Sequence, residues 1–194
     1  MKILLASRNK GKLEELRRIL ADHPSIELVG LDDVDPYPEA PETAATFAGN
    51  AEAKALDALR YTGLPSIADD SGLAVDALNG MPGVLSARWS GTHGDDTANL
   101  ELLLNQMGDV PDERRSAAFV CAVAFAQPNV ETQIVFGRMP GRVIREPRGA
   151  NGFGYDPIFV PDGHSETAAE LSSEAKDAIS HRGEALREFA KLLD

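Results

Sequence analysis

One cysteine, one tryptophan and a shortage of basic residues bound what this 194-residue chain can be. With Cys121 alone, no internal disulfide can form, and a reducing compartment suits the chain. No Cys/His cluster has zinc spacing. Cys121 itself falls in the apolar run from Ala117 to Phe125 and reads as a core thiol. Lys and Arg number 19 against 31 Asp and Glu, a net charge of −12. That excludes sequence-blind binding to nucleic acid or an anionic membrane, both of which want a basic face. It leaves room for a small anionic ligand held by a metal and a few placed cations. No apolar run approaches the ~20 residues that span a bilayer. Arg8 and Lys10 follow the first apolar residues too soon for a signal peptide, so the expected location is the cytoplasm. Internal repeats and low-complexity linkers are absent, as are the spacings of a P-loop and of a dinucleotide fingerprint.

What the chain does have is an alternation of short apolar runs and helical patterns. Lys2 to Ala6 reads as a strand covered on both faces. The polar stretch Ser7-Arg8-Asn9-Lys10-Gly11-Lys12 follows, then a helix whose Leu13, Leu16, Ile19 and Leu20 recur on one face. Backbone N–H groups at such a helix start, with nearby Arg and Lys, suit an anion. A solvated loop is the plainer alternative. Ile26 to Leu31 suggests a second strand, and the Pro- and acid-rich stretch from Asp32 to Glu42 a loop. Thr46 to about Arg60 predicts a helix on which Asn50 and Lys54 are neighbours, read on their own as an exposed polar pair.

Gly63-Leu64-Pro65 ends that helix, and Ser66 to Ala68 leads into Asp69-Asp70-Ser71-Gly72. The last four read as a turn. Adjacent strand side chains face opposite ways, so a continuing strand would keep the two acids out of one site, whereas a turn lets them diverge. Leu73 to Leu78 suggests a further strand, and Asp95 or Asp96 caps a helix through Met107. Ser116–Phe125 and Thr132–Phe136 read as a hairpin, and Gly141–Ile144 as a short third strand. In Gly152-Phe153-Gly154-Tyr155-Asp156-Pro157, glycines let backbone approach a ligand while a ring stacks on something flat. The C-terminal segment predicts two helices, from Glu170 and from Glu184, broken at Ser180-His181-Arg182-Gly183. Lys176, His181 and Arg182 gather cations there. The architecture expected is α/β with a mixed sheet flanked by helices. The chemistry expected is a site for something phosphorylated and flat, with carboxylates for Mg²⁺, which needs only one or two.

The chain resembles the Ham1/inosine triphosphate pyrophosphatase family, in its bacterial branch acting on dITP and XTP. The matching stretches run in order. They are Ser7–Lys12 with Leu13-Glu14-Glu15-Leu16, Thr46-Phe47 with Asn50-Ala51 and Lys54-Ala55, and Ala68–Leu73. Further along come Pro82-Gly83 with Ser86-Ala87-Arg88, Gly152–Pro157, and Ser180–Gly183. The resemblance implies one domain over residues 1–194, an elongated sheet with two lobes around a central nucleotide-binding cleft, and a homodimer. It implies Mg²⁺-dependent hydrolysis of purine nucleoside triphosphates with a 6-oxo base (ITP, dITP, XTP) to the monophosphate and pyrophosphate. On this chain it gives Ser7, Arg8, Asn9, Lys10, Gly11 and Lys12 to the phosphates, and Ser71 to substrate contact. Asp70 falls to the metal and to activating water. Phe153, Gly154, Tyr155, Asp156, Lys176, His181 and Arg182 frame the nucleotide and its base. Glu42 is the chosen second metal ligand, with Glu39 in the same loop close behind.

Two departures stand out. Arg8 occupies a position where the family commonly has glycine, and Gly49 one where it often has an acid. A Maf-like pyrophosphatase and a catalytically idle nucleotide sensor are the rival readings. The Phe153–Asp156 and His181-Arg182 motifs count against the first, and Asp69, Asp70, Lys12 and Lys176 against the second.

Overall fold

The computed structural model of the chain describes residues 1–8, 10–21, 23–39 and 41–193, without the side chains of residues 10, 11 and 15. Strands β1 (Lys2–Leu5), β2 (Glu27–Val29), β3 (Ser66–Val75), β4 (Ser116–Ala126), β5 (Gln133–Val143) and β6 (Phe159–Pro161) form one sheet in the order β2-β1-β3-β4-β5-β6. β1 is parallel to β2 and to β3, while β5 and β6 are antiparallel, so the sheet is mixed as expected. The helices are α1 (Lys10–Ile19), α2 (Phe47–Thr62), α3 (Asp96–Gln106), α4 (Ser173–Ile179) and α5 (His181–Ala190).

The chain divides into two compact units. The first holds Met1–Asp70, Cys121–Gly137 and Arg182–Asp194; the second holds Ser71–Val120 and Arg138–His181. β3, β4 and β5 contribute residues to both.

In the first unit, Ile3, Leu5, Leu16, Leu20, Ile67, Cys121, Val123, Phe125, Leu186 and Phe189 make one apolar cluster. Leu16 and Leu20 are the buried stripe that the spacing in α1 predicts, and Cys121 is the buried thiol expected. With Phe47, Leu59 and Ile134 packed at its edge, the fully buried members of a second cluster are all alanine: Ala51 and Ala55 of α2 against Ala68, Ala122, Ala124 and Ala126. Side chains this small let helix and sheet approach closely. α2 is well terminated. The Thr46 side chain accepts from Gly49 N at 3.1 Å, and Gly63, at φ 70°, donates its N–H to Leu59 O at 2.8 Å.

In the second unit, Leu73, Val75, Leu103, Met107, Phe119, Met139, Val143, Tyr155, Ile158 and Phe159 form the core, with Trp89 half-buried against it. The Asp95 side chain caps α3 by accepting from Ala98 N at 3.0 Å.

Three sequence expectations are corrected. Asp69-Asp70-Ser71-Gly72 is not a turn, because β3 runs unbroken from Ser66 to Val75. Both faces of the strand are covered there, and Gly72 serves close approach rather than bending. A Cβ at Gly72 would run into Ser86 Oγ and lie 2.5 Å from Gly83 O. The strand expected over Leu73–Leu78 is the end of β3 followed by a 3-10 turn, Asp76–Leu78. Gly141–Ile144 is not a separate strand either, since β5 continues through Met139-Pro140-Gly141 to Val143. Its burial alternates along that stretch, with Arg138, Pro140 and Arg142 exposed.

Candidate functional site

β3 decides where the two adjacent acids go. Strand alternation sends Asp69 and Asp70 to opposite faces, and each meets a different set of partners. Asp69 receives Lys12 Nζ on both oxygens, at 2.8 and 2.7 Å, and Arg182 Nε lies 3.4 Å from its Oδ2. Lys12 stands in the first turn of α1 and Arg182 in the first turn of α5. Burial alone would push the Asp69 carboxyl up. The charges of Lys12 and Arg182, with the Lys12 hydrogen bond and Lys54 farther off, outweigh it and hold the group well below the usual carboxylate range.

Asp70 faces α2. Asn50 Nδ2 donates to Asp70 Oδ2 at 2.9 Å, and Lys54 Nζ lies 3.7 Å from Asp70 Oδ1. Lys54 also donates to Glu42 Oε1 at 3.0 Å, so Asp70 and Glu42 share one ammonium. Burial, followed by the charges of Glu42 and Asp69, raises the Asp70 carboxyl above its ordinary value. Lys54 and the Asn50 hydrogen bond oppose that rise without cancelling it. For Lys54, burial would favour the neutral amine. The surrounding Asp70, Asp69 and Glu42 reverse this and raise its pKa.

Asn50 and Lys54 are thus not the exposed polar pair their helical spacing suggested. Asn50 is 1% exposed, and its Oδ1 accepts from Ala44 N at 2.9 Å. The signal available in the sequence was the i, i+4 spacing behind a Thr cap. The Pro- and acid-rich loop places its two candidate carboxylates differently. Glu42 joins the Asp70 cluster through Lys54, whereas Glu39 pairs with Arg8 at 2.6 Å to Nε and 2.5 Å to Nη2. Arg8 is not strained by replacing a glycine. Among the described residues, the non-glycines with positive φ are Asn79 and Asn129. Ser7 is half-buried. Asn9 lies outside the described residues, as does the side chain of Lys10.

The second unit holds the glycine–aromatic loop. Phe153 is 58% exposed, with Lys176 Nζ 5.4 Å from its ring centroid. The Asp156 carboxylate, buried, accepts from Phe153 N at 2.9 Å and pairs with Lys176 Nζ at 2.5 Å. Gly152, at φ 73°, leaves the room that this carboxylate fills. Gly154 N donates to Asp96 Oδ2 at 2.9 Å, a tether that sequence reasoning missed, since it gave Asp96 only a capping role. The Tyr155 ring turns into the core, and its hydroxyl donates to Ser86 O at 2.9 Å. Burial, with Asp96 nearby, pushes that phenol up. Ser86 Oγ in turn accepts from Leu73 N at 2.9 Å, which ties this loop's anchor to β3. His181 is buried and stacks on Phe119, with ring centroids 5.0 Å apart and an interplanar angle of 14°. Ser71 is half-buried on β3.

Among the described residues, no three or more His, Cys, Asp or Glu gather as a metal cage. A hard cation such as Mg²⁺ needs less. It takes oxygen ligands, one or two of them carboxylates, and completes its shell with water and substrate phosphate. Asp70 and Glu42, both oxygen donors and both drawn toward Lys54, fit that donor set.

The Ham1 family model matches residues 3–192 of the chain. The dITP/XTP pyrophosphatase of Nocardia farcinica is 63% identical over 194 residues, 99% of this chain and 94% of that one. A crystal structure of the nucleoside-triphosphatase / dITP/XTP pyrophosphatase of Mycobacterium abscessus has a TM-score of 0.85 at 59% identity, covering 100% of both chains. The Ham1 protein of Coxiella burnetii has a TM-score of 0.93 at 42% identity, covering 100% of this chain and 98% of that one.

Proposed function

Since this chain belongs to the Ham1 family, we propose that it hydrolyses purine nucleoside triphosphates with a 6-oxo base, dITP, XTP and ITP, to the monophosphate and pyrophosphate. The observation that carries the reading is Asp70, a buried carboxylate held from two sides by Asn50 and Lys54 with its pKa raised. A carboxyl moved upward is better suited to accept a proton from water near neutral pH.

Asp70 orients and deprotonates a water that attacks the α-phosphorus. The new bond is O–P, the bond broken is the one to the bridging oxygen, and pyrophosphate leaves intact. Mg²⁺, held by Asp70 and Glu42, supplies charge neutralisation on the phosphates when bound. Lys54 keeps those two carboxylates together. Lys12 and the rest of Ser7, Arg8, Asn9, Lys10, Gly11 take the triphosphate, and Ser71 contacts substrate. Phe153 presents its exposed ring to the base, fixed by Gly154 through Asp96 and by Asp156. Tyr155 supports that loop from the core side. Lys176, His181 and Arg182 complete the contacts to the nucleotide. Donors aimed at a 6-oxo group are left unpaired against a 6-amino group, which costs about 1–3 kcal/mol per group. We further assign the chain to the cytoplasm, as a homodimer in which residues 1–194 act as one domain, without nucleic-acid or membrane partners. No helix among the described residues is long and apolar enough to cross a membrane.

The test is pyrophosphate release from dITP, XTP, ITP, GTP and a modified pyrimidine triphosphate, with Mg²⁺ and with chelator. Turnover of dITP and XTP that chelator abolishes and Mg²⁺ restores is expected. No turnover of either at any Mg²⁺ concentration overturns the reading. Asp70→Asn is expected to lower kcat roughly 10²–10⁴-fold with an unchanged melting temperature.

A further inference from the structure

We propose that Asp69 is a positioning residue: its carboxylate fixes Lys12 and Arg182 as a preset pair of cations for the nucleotide's phosphates. The inference rests on the function proposed above and extends it to the second acid of the doublet.

The geometry is specific. Lys12 Nζ lies between both Asp69 oxygens, at 2.8 and 2.7 Å, and Arg182 Nε approaches Oδ2 at 3.4 Å. The side chains are 5%, 18% and 12% exposed for Asp69, Lys12 and Arg182, so the carboxylate is the most enclosed and the cations lie nearer water. Lys12, Asp69 and Arg182, all of the first unit, come from three elements: α1, β3 and α5. Lys12 is otherwise a long side chain with many rotamers, and a phosphate that had to order it would bind less tightly. A cation already held in place receives the phosphate without first having to be ordered, in ground state and transition state alike. Strand alternation keeps this task apart from the chemistry. The partners of Asp69 come from α1 and α5, and those of Asp70 from α2.

A buried ion pair that only holds the fold together makes a different prediction, so the two are separable. The full chain is compared with Asp69→Asn, Lys12→Met and the double variant. KM and kcat for dITP are measured separately, inorganic pyrophosphate binding is followed by calorimetry, and melting temperature reports on the fold. Asp69→Asn is expected to raise KM about tenfold or more and to weaken pyrophosphate binding by a similar factor. Its kcat is expected to stay within about threefold of the parent. In the double variant Asp69→Asn should add little to Lys12→Met, because the part of its effect that runs through Lys12 is already gone and only the longer contact to Arg182 is left to lose. A lower melting temperature with KM and pyrophosphate affinity unchanged makes the pair structural and overturns the proposal. So does a fall in kcat at constant KM, or full additivity in the double variant. Asp69→Glu carries the same test if Asp69→Asn does not fold. It keeps the charge, displaces Lys12 by a methylene, and is expected to raise KM. If the parent turns over neither dITP nor XTP, the proposed function fails. The pyrophosphate arm still decides this inference: equal affinity in parent and Asp69→Asn overturns it.

Discussion

Asn50 holds two things at once. Its amide nitrogen donates to the Asp70 carboxylate, and its carbonyl oxygen receives the Ala44 backbone two residues beyond Glu42. One side chain therefore sets the strand acid and the loop acid relative to each other. Asn50→Ala would leave a buried carboxylate oxygen and a backbone N–H without these partners. It is expected to lower unfolding free energy by about 1–3 kcal/mol in urea titration. It should also raise the Mg²⁺ concentration needed for half-maximal turnover. Taken alone, the acid doublet read as a turn; what was legible is that its two members part company, since adjacent side chains of a strand face opposite ways. The burial of Asn50 was not. The apolar residues fully buried on α2 are only Ala51, Ala55 and Ala58, the larger Phe47 and Leu59 lie half-buried beside them, and Leu56 is 44% exposed. Alanine is too weak a marker of an inner face for periodicity to assign one.

β3 shows the same limit one level up. Asp-Asp-Ser-Gly has the composition of a turn, because these residue types satisfy turn geometry locally. The long-range requirement prevails. The strand runs on unbroken, and the glycine admits Ser86 and the Gly83 carbonyl against its backbone. Gly72→Ala is expected to destabilise the fold by about 1–3 kcal/mol through overpacking. Equilibrium unfolding measures this, and an unchanged midpoint would show that the second unit yields easily at Ser86. Most other elements were readable because their signals are local. Asp95, one of the two capping positions expected, caps α3, the helix expected from Thr46 begins just after it, and the interruption at Ser180 separates α4 from α5. The continuity of β5 across Pro140-Gly141 was not, since the two residues look like a break. Pro140 is exposed on that strand, and Gly141 leaves no Cβ to strike Val160 O on β6.

For the whole molecule, the acidic balance has a consequence at alkaline pH. Tyr37, in the Pro- and acid-rich stretch, stacks on Tyr61 with centroids 5.4 Å apart. Burial, then the charges of Glu39 and Asp57, pushes its phenol from 10.0 up to about 12, with Arg8 opposing. The folded state thus favours the neutral phenol more than the unfolded chain does. That contribution is complete below pH 10 and is lost as pH rises from about 10 to 12. Chemical unfolding at pH 9 and pH 12 should show a smaller loss for Tyr37→Phe than for the parent. An equal loss would place the alkaline sensitivity in another group. The six ordered motifs carried the family assignment from the sequence alone. The pairings that organise the site, Lys12 with Asp69, Lys54 with Glu42 and Asp96 with Gly154, join residues 57, 12 and 58 positions apart. No local pattern encodes those separations. The doublet on β3 also gives the gene an asymmetric tolerance of reading-frame-preserving errors. A one-codon insertion just ahead of the strand would move Asp69 into the place of Asp70 and Ala68 into the place of Asp69. The acid facing Asn50 survives, and the anchor for Lys12 is lost. A one-codon deletion does the reverse, setting Asp70 against Lys12 and Ser71 against Asn50. On the roles proposed above, the first lesion would spare the proposed base and cost the anchor of Lys12, and the second the reverse, each with the rest of the strand turned to the wrong face as well.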